Sequence, residues 1–386
     1  MLTFSAPSFP VPNFLGPNFP SVDPIPLPAP VWLMKVLHIL TLTLHFVAVE
    51  MLLGGLLVAV VLSLFRSSPS AQIAARSVAR RLTVVMTYVI NLAVPPLLFA
   101  QVLYGRALYT SSVLIGIYWI AVVALVTLVY GLLYHFKARL EAGRSAWVSG
   151  LAAWLLAGSV ARLLSTNMTL MLRPEVWQQM YSASGAGAYL PSGDVTLSPR
   201  WWMMLCGGLA ISGLWLVYLG CRSSFTDVER RFLATVGGRL AAVGGVLYLI
   251  VGVWAASVQP LAVKEGLRLH PLYHFFGWAG DGWLVCVGLI VLLGLIVGVA
   301  RTTQVWVGWL AVGLATVTAL CLTIYRDGVR DLTLLSKGYD VWDRVVVTNW
   351  GVVGVFLALF VGGLAVVGWL ISVVARANKT MEGDAQ

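Results

Sequence analysis

After Lys35, three ionisable side chains stand in the otherwise apolar stretch KVLHILTLTLHFVAVEMLLGGLL that runs to Leu57: His38, His45 and Glu50. An imidazole nitrogen is a ligand for haem iron, zinc or copper. A carboxylate in hydrocarbon pairs with a cation, handles protons or contacts a polar ligand. On a helix His38 and His45, seven residues apart, share nearly one face with about 10.5 Å between them along the axis. Glu50 falls about 140° round from His45 and so faces a different neighbour. His270 and His274, in LRLHPLYHFFGW, place two more imidazoles just before a later apolar stretch. All four converge if those two segments end on the same side of a membrane, where neutral imidazole suits haem b held between helices. The plain alternative for each histidine is a hydrogen bond to a backbone carbonyl. A zinc or copper site is weaker, since no carboxylate or thiolate clusters beside these histidines in sequence.

Other polar groups fall inside apolar stretches: Asn91, Gln101, Arg162 and Asp281. Such groups pair or line a wet cavity. Glu50 therefore reads as a quinone or proton position, or as one half of a buried pair with Arg162. Asp281, between two glycines, reads as a helix cap. The segment RDGVRDLTLLSKGYDVWDRVVV (Arg326 to Val347) mixes four basic and four acidic side chains. It reads as an outer loop, in which Arg326 or Arg330 meets a haem propionate or quinol headgroup, or as a solvated loop with internal ion pairs.

The elements that must position these groups follow from composition. Of 386 residues, 59% are hydrophobic and 10% charged, with a mean hydropathy of +0.89, which excludes an ordinary soluble domain and predicts an all-α polytopic membrane protein. The net charge of +10 lies mostly between apolar spans and marks topology rather than nucleic-acid binding. The four cysteines form no CxxC pair and no CxxCH haem-attachment motif. Many of the Trp and Tyr residues sit at span ends, as in an interfacial belt.

Residues 1–30 are rich in proline and contain no Lys or Arg, which predicts an extended extracytoplasmic tail. About nine spans of roughly 20 residues follow within a transmembrane domain over 31–376, near 32–65, 82–104, 112–136, 146–168, 200–220, 232–258, 278–300, 304–325 and 347–375. A basic loop after the first span (Arg66, Arg76, Arg80, Arg81) lies in the cytoplasm by the positive-inside rule, so the N-terminus is outside. Residues 377–386 form a cytoplasmic tail. The long segments 169–199, 259–277 and 326–346 then all lie outside, where partners are handled.

Several of these segments resemble the large subunit of cytochrome bd-type quinol oxidases. LTLTLHFVAVEMLLGG is similar to that family's first helix, with His45 in the place of a histidine close to the high-spin haem iron. INLAVPPLLFAQVLYG is similar to its second helix. NMTLMLRPEVW, LSPRWWMMLCGGLAISGLWLVYLG and VERRFLATVGG follow the family's order of loop, fifth helix and basic turn. The chain departs from the pattern at Gln101, where the family has a glutamate, and at Met203 and Met204, where its fifth helix carries a histidine. The GRQPW stretch is missing. The resemblance thus implies the scaffold and electron transfer rather than terminal oxygen reduction. The RDxVRD segment further resembles bd-like subunits that work with multihaem c-type cytochromes.

The resulting expectation is a multi-pass protein of the bacterial inner membrane that belongs to a respiratory complex with other membrane subunits. It binds haem b near the outer leaflet through His45 or His38, with His270 or His274 as partner ligands. It passes electrons between the quinone pool and an outer c-type cytochrome, with Glu50, Gln101, Arg326 and Arg330 as quinone or proton positions. The competing reading is a haem-free anchor that docks cytochromes through its outer segments. A transporter would show inverted repeats and broken helices, and neither is apparent.

Overall fold

A computed structural model of the chain describes residues 26–383. Helices dominate: α1 (Val31–Leu64), α2 (Pro69–Leu114), α3 (Gly116–Glu141), α4 (Trp147–Leu170), α5 (Trp177–Ala183), α6 (Leu197–Gly220), α7 (Asp227–Ser257), α8 (Leu261–Leu269), α9 (His274–Ala300), α10 (Val305–Leu335) and α11 (Trp350–Gly383). Eight of these, α1 to α4, α6, α7, α9 and α10, are long and apolar enough to cross a membrane. The ninth expected span coincides with α11.

α1 and α6 sit at the centre. α6 packs on α7, α1 and α10; α1 packs on α2; α7 packs on α9, and α9 on α10, while α3 and α4 pair at the edge. Helices in lipid gain little from burying apolar surface, so small residues and close van der Waals fit hold them together. Gly54 of α1 and Gly208 of α6 meet backbone to backbone, and a Cβ on Gly208 would stand 3.1 Å from the Gly54 nitrogen.

Three expectations change. The basic stretch after the first span is helix, not loop. Ser68 caps α2 by accepting the Ala71 N–H at 3.3 Å, Pro69 takes the first helical position, and Ala71, Ala74, Ala75, Val78 and Ala79 form a buried stripe. α7 begins before its apolar run because Thr226 and Glu229 close a capping box.

The largest change is α10, which continues through Leu335. The predicted outer loop at Arg326 is helical. Its first two acids and first two bases each recur four residues apart, which is helical spacing; Lys35 of α1 pairs with both acids, and Arg330 pairs with Asp327. The part of that expected loop that is not helix runs over 336–349. There Val345 accepts the Leu27 N–H at 2.8 Å, and Leu27 accepts the Val347 N–H at 3.0 Å. Of the proline-rich tail, residues 1–25 lie outside the described residues. Its end, with Leu27 and Ala29 buried, is fastened to the segment after α10. Of the predicted cytoplasmic tail, the residues up to Gly383 continue α11, and 384–386 lie outside the described residues.

Candidate functional site

The polar residues of α1 face two ways, as the helical arithmetic requires. His38 and His45 both look toward α2. His38 Nδ1 is 3.0 Å from the Pro96 carbonyl, and the ring of His45 lies against the Val89 backbone. Seven residues forward on α1 match seven backward on α2, the register of an antiparallel pair. Glu50 looks instead toward α6 and α7, where it accepts the Tyr248 hydroxyl at 3.2 Å.

The two histidines differ in what they have left to offer. A carbonyl only accepts and a guanidinium only donates, so the contacts of His38 fix its tautomer. Nδ1–H donates to Pro96, and Nε2 accepts from Arg330 Nη1 at 2.9 Å. Neither nitrogen of His38 keeps a lone pair for iron, which corrects its expected role as a ligand. His45 Nδ1, in contrast, is buried with no hydrogen-bond partner among the described residues.

His38 belongs to a larger buried cluster. Lys35 Nζ donates to Tyr104 Oη at 2.7 Å, to Asp327 Oδ2 at 2.9 Å and to Asp331 Oδ2. Tyr104 Oη lies 3.1 Å from Asp327 Oδ1 and 2.9 Å from Asp331 Oδ1. Arg330 Nη1 closes the cluster onto Asp327 Oδ1 at 3.2 Å. Two cations and two carboxylates thus balance inside the bundle and tie α1, α2 and α10 together. Tyr104 sits where α2 bends, with φ −122° and ψ 20°, so the bend delivers its hydroxyl to the charges. Sequence reasoning missed Lys35 and Tyr104. The available signal was a lysine inside an apolar helix together with the four-residue spacing of Asp327 and Asp331.

Glu50 does not pair with Arg162, as expected from the sequence; Arg162 stacks over the Trp201 ring at 5.4 Å. Glu50 lies beside Gly207, where a Cβ would come 2.6 Å from Glu50 Oε1. Tyr248, its hydroxyl donor, rests edge-on against Trp283 at 5.0 Å. Tyr248→Phe is expected to destabilise the chain by about 1–3 kcal/mol, because it strips a buried carboxyl of its donor. Thermal unfolding in detergent checks this, and the double change Tyr248→Phe/Glu50→Gln should not recover the loss, since an amide still needs a partner.

The remaining expected positions disperse. Asn91 is exposed and donates to Thr87 of its own helix at 2.8 Å. Gln101 lies on α2, partly buried. Asp281 falls inside α9, whose cap is Tyr273, so it is no cap; it lines a cavity instead. His270 Nδ1 accepts the Leu272 N–H at 3.2 Å. His274 is exposed and packs on Trp278 at 4.4 Å between ring centroids.

That cavity, of about 750 Å³, opens between α6, α7, α8, α9 and α10. Arg326 and Arg330 reach it from α10, Arg200 and Met203 from α6, and His274 from α9. The structure therefore joins two expected anion contacts and one expected histidine in a single space that His45 and Glu50 do not line. Arg200 carried no sequence signal. Arg326 also lies over the Phe46 ring at 4.7 Å, so the cavity wall adjoins the residue next to His45.

For haem b the donors fit at one place. The His45 ring hydrogen-bonds the Val89 backbone, and its Nδ1 is buried without a hydrogen-bond partner among the described residues, while His38 is saturated and the loop histidines are engaged locally or exposed. Among the described residues no group of three or more His, Cys, Asp or Glu is placed to hold a metal ion. The arrangement suits a centre with one histidine ligand rather than a bis-histidine pair.

No protein-family model matches the chain, and no curated protein sequence does. Its fold does match a solved structure, "The structure of bd oxidase from Geobacillus thermodenitrificans", with a TM-score of 0.61 at 11% identity over 87% of this chain and 95% of that one. The chain is thus a multi-pass, all-helical membrane protein with a bd oxidase-like fold.

Proposed function

We propose that this chain is an electron-transfer subunit of a respiratory complex in the bacterial inner membrane, binding haem b through His45 and passing electrons between the quinone pool and an outer c-type cytochrome. The observation that carries the reading is the buried, unpartnered Nδ1 of His45 on the central helix of a bd oxidase-like scaffold. Haem held there supplies one-electron chemistry. The protein's own part is to hold the imidazole: the Val89 backbone faces the ring, and the α1–α2 register keeps it there.

Glu50, hydrogen-bonded to Tyr248 and within electrostatic reach of Arg326, is the proton-handling candidate. Gln101 is the candidate for quinone contact. Arg330 is committed to His38 and Asp327, and acts by positioning those groups. The outer segment at 336–349, with the end of the proline-rich tail fastened to it, is the surface for a cytochrome partner.

The test is a dithionite-reduced minus oxidised spectrum with a pyridine haemochrome assay, on the purified wild type and on His45→Ala. A b-type α-band in the wild type that is lost in His45→Ala, with the thermal midpoint kept, supports the reading. Absence of haem from the wild type replaces it with the haem-free anchor, in which the outer segments dock a cytochrome and the histidines are structural.

A further inference from the structure

The cavity between α6 and α10 holds more positive charge than the protein balances. Arg200, Arg326 and Arg330 line it together, and they stand close enough to repel one another. Arg330 is satisfied by Asp327. Arg200 and Arg326 are partly buried and make no ion pair within 4.0 Å among the described residues. The acids that act on them, Asp194 on Arg200 and Glu50 on Arg326, do so from beyond that distance. Two carboxylates line the wall, Glu265 and Asp281, and both are exposed. Lys264 and Arg268 add two further cations from α8. Guanidinium groups withdrawn from water need an anion, and a planar fork of donors matches a phosphate or carboxylate best.

The mouth identifies where that anion comes from. α8 is short and amphipathic, with Val263 and Leu267 turned inward and Leu261 and Leu269 exposed. Beside it Leu272, Phe275 and Trp278 are also exposed. A helix of this kind lies in the membrane interface, and a tryptophan there marks headgroup depth. The opening therefore faces the bilayer, and the inner walls, with Met168, Met203 and Leu322, are apolar. An apolar chamber that ends in arginines and opens at headgroup level has the shape and charge of a site for an anionic amphiphile.

We propose that this cavity binds an anionic phospholipid of the surrounding membrane, with its phosphate held by Arg200 and Arg326 and the upper part of its acyl chains against the apolar wall. The site is separate from His45. A phospholipid locked there bridges α6, α8, α9 and α10 and neutralises the arginines facing one another across the bundle.

Native mass spectrometry of the full chain tests this, after incubation with phosphatidylglycerol, with phosphatidylcholine of the same acyl chains, or with inorganic phosphate. The expected result is one phosphatidylglycerol adduct that survives activation conditions stripping phosphatidylcholine, and that millimolar inorganic phosphate does not displace. In Arg200→Gln/Arg326→Gln this adduct should weaken about tenfold or more. Arg301→Gln, at the opposite end of α9, should leave it unchanged.

Equal retention of both lipids by the wild type overturns the proposal without need of any variant, so a double variant that fails to fold does not protect it. Displacement by inorganic phosphate overturns it in favour of a free oxyanion site. A double variant that keeps the lipid but loses haem overturns it as well, because the arginines would then serve haem propionates. Loss of haem in His45→Ala with the lipid adduct intact bears on the electron-transfer reading alone.

Discussion

Lys35→Met is expected to destabilise the chain by about 3–5 kcal/mol, among the largest effects of any single substitution in it. Lys35 is 3% exposed, and its partners Asp327 and Asp331 are about 1% exposed or less. Removing the ammonium leaves two adjacent carboxylates with Arg330 as their remaining ion-pair partner among the described residues. The like charges then repel in a medium that screens them poorly. Because the cluster joins α1 and α2 to α10, the loss should appear as an opening of that three-helix contact. Thermal unfolding of the detergent-solubilised chain measures the loss, and cysteine labelling at positions along the α1–α10 contact locates it. Lys35→Met/Asp331→Asn should recover a large part, since it removes the charge left unpaired. An unchanged midpoint in the single variant would show that water or protons reach the cluster and that it does not hold the helices together.

Gly54→Leu is expected to abolish monodisperse folded protein. The obstacle is backbone: a side chain at position 54 runs into the Gly208 carbonyl, with Ser212 beside it. A flexible side chain can move aside, but two helix backbones in contact move only by separating. α1 and α6 are the central pair, so their separation displaces Glu50 from Tyr248 and the α1 histidines from α2. Gly208→Ala offers a graded comparison, because its Cβ meets the Glu50 carbonyl oxygen and the Gly54 nitrogen at 3.1 Å each. It should cost about 1–3 kcal/mol, the usual range for overpacking. Size-exclusion profiles and thermal midpoints of the two variants check the order, and a Gly54→Leu chain as stable as wild type would refute the close apposition of these helices.

Much of the architecture was legible because the signals are local. Membrane-length apolar runs marked the spans, and the structure places most of their ends within a few residues of the expected ones. The misplaced ends have specific causes. α2 starts early because alanines every three to four residues bury a stripe that average hydropathy does not see. α10 runs long because charges that look like loop residues are paired inside the bundle. Hydropathy scores a charge as exposed wherever it stands; only a partner makes it internal. The site was legible in the same measure. His38 and His45 facing one way and Glu50 another is arithmetic on one helix, and the structure agrees.

What sequence alone determined was membrane residence, a helical bundle, the direction in which each polar group of the first helix points, and a likeness to the bd oxidase scaffold that the fold bears out. Only the tertiary structure decided which groups meet. Lys35 and Asp327 are 292 positions apart, and no periodicity links them. The saturation of both His38 nitrogens requires Pro96 and Arg330 from two other helices, so two histidines that look alike in sequence part in chemistry. The cavity draws its cations from three separate helices. Helical geometry repeats over 3.6 residues and can be read from a short stretch, whereas charge compensation acts across space and exists only once the helices have packed.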